Sequence, residues 1–326
     1  MNNKKLNILQ ILPDLESGGV ERGTLEIAEY LVKKGHNSYV VSSGGRLVNK
    51  LIEGGSVHFH LPIGKKSPGT LLSIYKLLKI YKEYKIDIVH ARSRLPAWIV
   101  TTIHGYNSIS YYSSIMTKGD AVIIVSNSLK KFIIKNYDMD KSKIFVIYRG
   151  VSDLNKKINS SFAIWKNNWK KTNKNLKNKK ILTLPVRISR HKGIEDFIYL
   201  ISQLKEKKLN VHGLIVGEAK SQNYLQQLVK YIKSQGLDES ISFLGFRSDI
   251  YEIIKISNIT FSLSSLPEAF GRTVIESIKL GVPVIGYDHG GVGEQLKHIF
   301  PLGLISLNNK NLLCEKTLEF IQKPPE

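Results

Sequence analysis

The feature that most constrains this chain is its rhythm. Short, continuously apolar runs alternate with amphipathic stretches of helical period from one end to the other. In the first half, strands are expected at 6–12, 38–42, 57–61, 86–90, 99–103, 121–125 and 144–147, with helices at 20–34, 70–84, 110–118 and 126–136. In the second half, strands are expected at 181–184, 211–216, 241–244, 259–263 and 282–286, and helices at 194–207, 222–235, 249–257 and 271–280. Apolar strands without alternation, each followed by a helix, are the mark of parallel sheets covered on both faces. Such open sheets bind ligands at the carboxyl ends of their strands. The 326 residues suffice for two such domains. The boundaries expected are a first Rossmann-like lobe over 1–155, a basic linker with one short helix over 156–180, and a second Rossmann-like lobe over 181–326.

Composition narrows the setting. The one cysteine, Cys314, cannot form an internal disulfide, which fits a reducing, cytoplasmic compartment. The start of the chain reads as a core strand and not a signal peptide, and no run approaches the roughly 20 apolar residues that span a bilayer. The net charge of +21 is unevenly placed. Residues 1–155 carry 22 Lys and Arg against 12 acids, and residues 156–180 carry nine Lys and no acid. Residues 181–326 are nearly balanced, at 17 against 15. An anionic membrane surface fits such a field, and so does a plain bias toward solvated lysine. Nucleic acid is disfavoured, because no zinc-finger, RRM or basic-zipper pattern is present. Trp165 and Trp169 stand at helical spacing in the basic stretch, suited to packing on the protein or to inserting at a membrane.

The chemistry concentrates in SLPEAFGRTVIESIKLGVPVIGYDHGGVGE, residues 265–294. Glu268 follows a strand, Phe270-Gly271 opens a helix that carries Glu276, and Gly290, Gly291 and Gly293 open another helix ahead of Glu294. Backbone N–H groups at helix starts hold phosphate, and carboxylates accept hydrogen bonds from sugar and ribose hydroxyls. This order of motifs resembles the second lobe of family 4 glycosyltransferases, the retaining group with the GT-B fold, whose hallmark of two Glu with seven residues between them matches Glu268 and Glu276. Further matches follow in family order. PVRISRHKG supplies Arg187 and Lys192, LIVGEA supplies Gly217 and Glu218, and FLGFRSDI places Phe246 and Arg247 where the family holds its nucleotide base. In the first lobe, Gly18-Gly19 lies between strand and helix, and IHGY ends a strand with His104.

The resemblance implies a nucleotide-diphosphate sugar as donor, no required cofactor or metal, retention at the anomeric carbon, and two parallel sheets facing across a cleft. His104, Arg187, Lys192 and Glu268 are then the catalytic candidates. Gly18, Gly19, Gly217, Glu218, Phe246, Arg247, Phe270, Gly271, Glu276, Gly290, Gly291 and Glu294 are the donor-binding candidates. The basic first lobe points to a lipid-linked or envelope glycan as acceptor, as in lipopolysaccharide biosynthesis, met at the inner face of the membrane. A weakened sugar-nucleotide-binding protein and another GT-B enzyme, such as a sugar-nucleotide epimerase, stand as alternatives. Asp138-Met139-Asp140 has the form of a metal motif but falls in a turn ahead of a strand, where a solvated role is expected.

Two departures from the family pattern bear on the alternatives. Only eight residues separate the expected strands at 86–90 and 99–103, too few for a crossover helix. The sequence also stops after an expected helix at 311–322, where the family usually continues into a brace for the first lobe.

Overall fold

A computed structural model describes residues 5–16, 18–63, 69–92, 100–103, 106, 117, 120–151, 154, 158 and 161–325. The chain divides into two compact units, Met1–Arg149 and Gly150–Glu326.

In the first unit the described residues form a seven-stranded sheet in the order β3-β2-β1-β4-β5-β6-β7. The strands are β1 (Asn7–Ile11), β2 (Asn37–Ser42), β3 (Val57–His60), β4 (Ile88–Ala91), β5 (Val100–Ile103), β6 (Ala121–Ile124) and β7 (Ile144–Val146). All pair in parallel. Helices α1 (Gly19–Lys33), α2 (Val48–Glu53), α3 (Gly69–Glu83) and α4 (Asn127–Asn136) connect them. Strand period explains why both faces are apolar. On β2, Val40 packs with Leu12, Leu15, Ala28 and Leu51 on the α1–α2 side. Its neighbour Val41 joins Leu9, Ile11, Leu61 and Ile80 on the α3 side.

The strands on either side of the short connection are both present and adjacent, His90 pairing with Val100. Eight extended residues reach about 26–29 Å. The return along a four-residue strand takes about 13 Å, with about 4.8 Å more to the next strand. Eight residues are therefore long enough to span the crossover between these two strands. The sequence expectation of a helix over 110–118 lies almost wholly outside the described residues. Helix α2 was not expected; at six residues, it is too short to show a period.

In the second unit the described residues form a six-stranded parallel sheet in the order β10-β9-β8-β11-β12-β13. Its strands are β8 (Lys180–Pro185), β9 (Val211–Val216), β10 (Ile241–Gly245), β11 (Ile259–Ser262), β12 (Val284–Tyr287) and the two-residue β13 (Leu304–Ile305). The helices are α5 (Phe162–Thr172), α6 (Ile194–Glu206), α7 (Gln222–Ser234), α8 (Ile250–Ile256), α9 (Arg272–Lys279), α10 (Gly290–Ile299) and α11 (Lys310–Gln322). One face of the sheet packs Leu182, Leu184 and Ile215 against Phe197, Ile201, Leu228 and Leu313 of the helices. The other face packs Ile181, Leu214 and Val216 against Ile253, with Trp165 and Trp169 of α5 lying on them. The two Trp of the basic stretch are thus engaged with the protein.

Candidate functional site

In each sheet the strand order reverses once. In the second unit β8 is followed by β9 on one side, while β11, which comes after β10 in sequence, lies on its other side. The connections leaving β8 and β11 diverge there, and open sheets of this kind bind ligands in the crevice outside the carboxyl ends at such a point.

The two segments that border this crevice are laced together. The hydroxyl of Ser264 donates to the His191 carbonyl at 2.9 Å, and the Ser265 N–H donates to the same oxygen at 3.0 Å. Gly193 closes the first segment in the left-handed region, with φ 70°. A β-carbon there would overlap the Leu263 carbonyl, so only glycine lets the segments meet. Across them, Lys192 Nζ donates to Glu268 Oε1 at 2.7 Å, both side chains partly exposed. Arg187, just past β8, is exposed and makes no ion pair among the described residues. Its flanks are pinned to the neighbouring strand end. The Val186 N–H donates to the Val216 carbonyl at 2.9 Å and the Ile188 N–H to the Glu218 carbonyl at 3.0 Å. Gly217 in turn donates to the Gly245 carbonyl at 2.8 Å. The ends of β8, β9 and β10 therefore form one connected rim.

The segment from Glu268 to Gly271 rests on the start of α10. The Gly291 N–H donates to the Glu268 carbonyl at 2.6 Å, so this N–H is committed within the protein. A β-carbon at Gly290 would lie 2.7 Å from that same carbonyl oxygen, which is why backbone meets backbone here. The buried Gln295 side chain donates to the Phe270 carbonyl. Gly271 N-caps α9 and Glu294 lies half-buried in the first turns of α10.

Glu276 differs from Glu268. It is 2% exposed, and its Oε1 accepts from Arg272 Nε at 2.7 Å and from the Tyr251 hydroxyl at 3.2 Å. The sequence reading missed both partners, although Arg272 stands four residues before Glu276 on one helix, the spacing of an intrahelical ion pair. Phe246 is 43% exposed after β10. Arg247 beside it forks onto Asp249, Nε to Oδ1 at 2.8 Å and Nη2 to Oδ2 at 2.6 Å. Burial raises the Asp249 pKa, but its hydrogen bonds from Arg247 and Trp165 outweigh that and hold it below the usual carboxylate value.

In the first unit the reversal falls between β1 and β4. Gly18 caps α1, and the Gly19 carbonyl accepts from Arg149 Nη1 at 3.1 Å. Arg92 leaves β4 at 4% exposure and donates to Gln10 Oε1 at 2.6 Å and to the Gly23 carbonyl at 3.2 Å. Burial, then the neighbouring Arg149, pushes its guanidinium down to about 9. The sequence reading missed Arg92; the signal was Gln10, a polar residue inside an apolar strand. His104 lies outside the described residues, while Tyr106 bonds the Ser128 hydroxyl at 2.7 Å. The Asp-x-Asp segment acts locally, Asp140 accepting from the Ser142 N–H at 2.9 Å.

Comparisons with known proteins bear on the family and the fold. Residues 17–153 match the family described as Glycosyltransferase Family 4, and residues 165–326 match Glycosyl transferases group 1. An uncharacterized glycosyltransferase of Methanocaldococcus jannaschii, MJ1607, is 28% identical over 197 residues, 60% of this chain. The match spans about half of that relative, 48% of its length. The crystal structure of a glycosyltransferase from Rickettsia africae ESF-5 is 33% identical with a TM-score of 0.85, covering 98% of this chain and 89% of that one. Anabaena Alr3699/HepE, crystallised with UDP and glucose, shares the fold at 20% identity and a TM-score of 0.82, covering 98% and 90% of the two chains. With both halves matched and a solved relative at 33% identity, the chain belongs to the family 4 glycosyltransferases of the GT-B fold.

Proposed function

We propose that this chain transfers a hexose from a nucleoside diphosphate sugar to a hydroxyl of a lipid-linked or envelope glycan, with retention at the anomeric carbon and without a metal. The observation that carries this reading is the group at the ends of β8 and β11: exposed Arg187, and Lys192 at 2.7 Å from Glu268. Sugar transfer leaves negative charge on the departing diphosphate, and preorganised cations at that position stabilise it. Arg187 supplies a planar fork for phosphate oxygens and Lys192 a point charge. Glu268, in the adjoining segment, accepts hydrogen bonds from sugar hydroxyls. The complexes of the Anabaena protein with UDP and glucose make UDP-glucose the first donor to try. Retention rests on family membership, for which a front-face route assisted by the leaving phosphate is usual.

The test is a thermal-shift screen of nucleotide sugars, followed by donor hydrolysis and transfer assays on each hit. Stabilisation by none of them sinks the reading. The eight-residue connection between β4 and β5 supports a second reading, a protein that holds nucleotide sugar but transfers it poorly. Donor affinity in the micromolar range with neither hydrolysis nor transfer selects it.

The acceptor reading rests on the first unit. Helix α3 shows solvent Tyr75 at 72% exposure and Leu78 at 54%, on one face with Lys79 and Lys82. Apolar side chains rimmed by lysine suit an anionic bilayer surface, and no helix among the described residues is long and apolar enough to cross a membrane. The protein is expected to sediment with phosphatidylglycerol vesicles and to be released as salt shortens the Debye length from about 10 Å at 0.1 M to about 3 Å at 1 M. Failure to sediment at low salt rules this out.

A further inference from the structure

Helix α5 comes from the stretch whose composition reads as a tether, yet its aromatic face is built into the second unit at one point. Phe162, Trp165 and Trp169 share a face at helical spacing. The rings of Phe162 and Trp165 stack at 6.1 Å and 10°, those of Trp165 and Trp169 at 5.2 Å and 20°. This ladder meets the segment that follows β10. The indole N–H of Trp165 donates to Asp249 Oδ2 at 2.8 Å, the same oxygen that accepts from Arg247 Nη2 at 2.6 Å. The Arg247 guanidinium lies 5.8 Å from the centre of the Trp169 ring. Arg247 is thus held in its plane by a carboxylate fork and on one side by an aromatic ring, and the carboxylate is itself fixed by an indole.

Groups wired in this way have one orientation. A fork of two charge-assisted bonds defines the guanidinium plane, and the shared oxygen couples that plane to α5. The segment so fixed, Gly245 to Asp249, also receives the Gly217 N–H at 2.8 Å, which joins it to the rim that carries Arg187.

We propose that α5, through Trp165 and Asp249, is a positioning element of the nucleotide seat: it sets the conformation of the segment around Phe246 and Arg247 that receives the nucleobase. This rests on the donor-site reading above. Trp165 and Asp249 are positioning residues, acting through Arg247.

The experiment compares Trp165→Phe, Asp249→Asn, Phe246→Ala and the unaltered protein by calorimetry with UDP and with inorganic pyrophosphate, after each variant's melting temperature has been checked. Trp165→Phe keeps a ring in the ladder while removing the N–H donor and part of the stacked area. Asp249→Asn keeps the shape and removes the charge. Both are expected to weaken UDP by about tenfold, equivalent to about 1.4 kcal/mol, and to leave pyrophosphate affinity unchanged. In turnover, the KM for donor rises and kcat at saturation holds, the pattern of lost ground-state binding. A fall in UDP affinity with Phe246→Ala but with neither of the other two overturns the proposal and leaves the donor site standing. Equal losses for UDP and pyrophosphate in the two variants overturn it as well, since that is general loosening. If Phe246→Ala and both positioning variants all leave UDP affinity unchanged, the nucleobase assignment itself falls and the proposal with it.

Discussion

Arg187→Ala is expected to lower affinity for UDP by about 10- to 100-fold, the loss of one charged hydrogen-bond pair worth about 1.5–3 kcal/mol, while uridine affinity changes little. Arg187 follows β8 at the point where the second sheet reverses, and the residues on both sides of it are bonded to the end of β9. Its backbone is fixed and its side chain is exposed without an ion pair among the described residues. A guanidinium in that situation is available to a diphosphate and has little to do in its absence, so stability should scarcely change. Lys192→Ala should act in the same direction for two reasons. It removes a cation, and it releases Glu268, whose charge Lys192 now offsets at 2.7 Å, beside an incoming anion. Calorimetry with uridine, UMP and UDP checks both variants. Equal losses for nucleoside and diphosphate would falsify the phosphate assignment.

Glu268→Gln should leave UDP affinity within about twofold and reduce turnover of UDP-glucose by about 10²- to 10³-fold, the range found when one preorganised group at a reacting centre is lost. The substitution preserves shape, and the carbonyl of residue 268 still accepts from the Gly291 N–H, so the segment keeps its course. What changes is the carboxylate that Lys192 orients. Unaltered turnover would remove Glu268 from the sugar site. Its partner in the family hallmark calls for a different design. Glu276 is buried and pairs with Arg272, whose side chain is 12% exposed, so deleting it removes an ion pair held largely out of water. A change at Glu276 therefore mixes folding with binding, and only a variant shown to melt normally informs on the ribose.

The parallel sheets were legible because each long strand is apolar on both faces, as Val40 and Val41 illustrate by packing into different cores. β13 was not, since two residues carry no period. The segment from Glu268 to Glu294 could be read as a candidate site because its motifs are local in sequence. The contacts that fix it are not local. Lys192 and Glu268 are 76 residues apart, and Trp165 and Asp249 are 84 apart. Nothing in a single sequence announces such pairings. In the basic stretch the short helix and the helical spacing of Trp165 and Trp169 were legible, whereas the place where they dock was not. Nine lysines dominate its composition, while the three aromatic residues that dock α5 occupy one face of a helix that is otherwise solvated.

The contacts of Gly193 with Leu263 and of Gly290 with Glu268 involve main chain on at least one side and leave no room for a methyl group. For anyone wishing to redesign the candidate donor site, this divides it into two kinds of position. Insertions, deletions or bulky residues at the glycines push main chains apart and forfeit the folded unit before selectivity is reached. Side chains that stand out from the same frame, such as Leu266 at 52% exposure, can be exchanged with these main-chain contacts kept. A library restricted to such outward positions keeps the close main-chain contacts, whereas one that varies the segments at these glycines disturbs them.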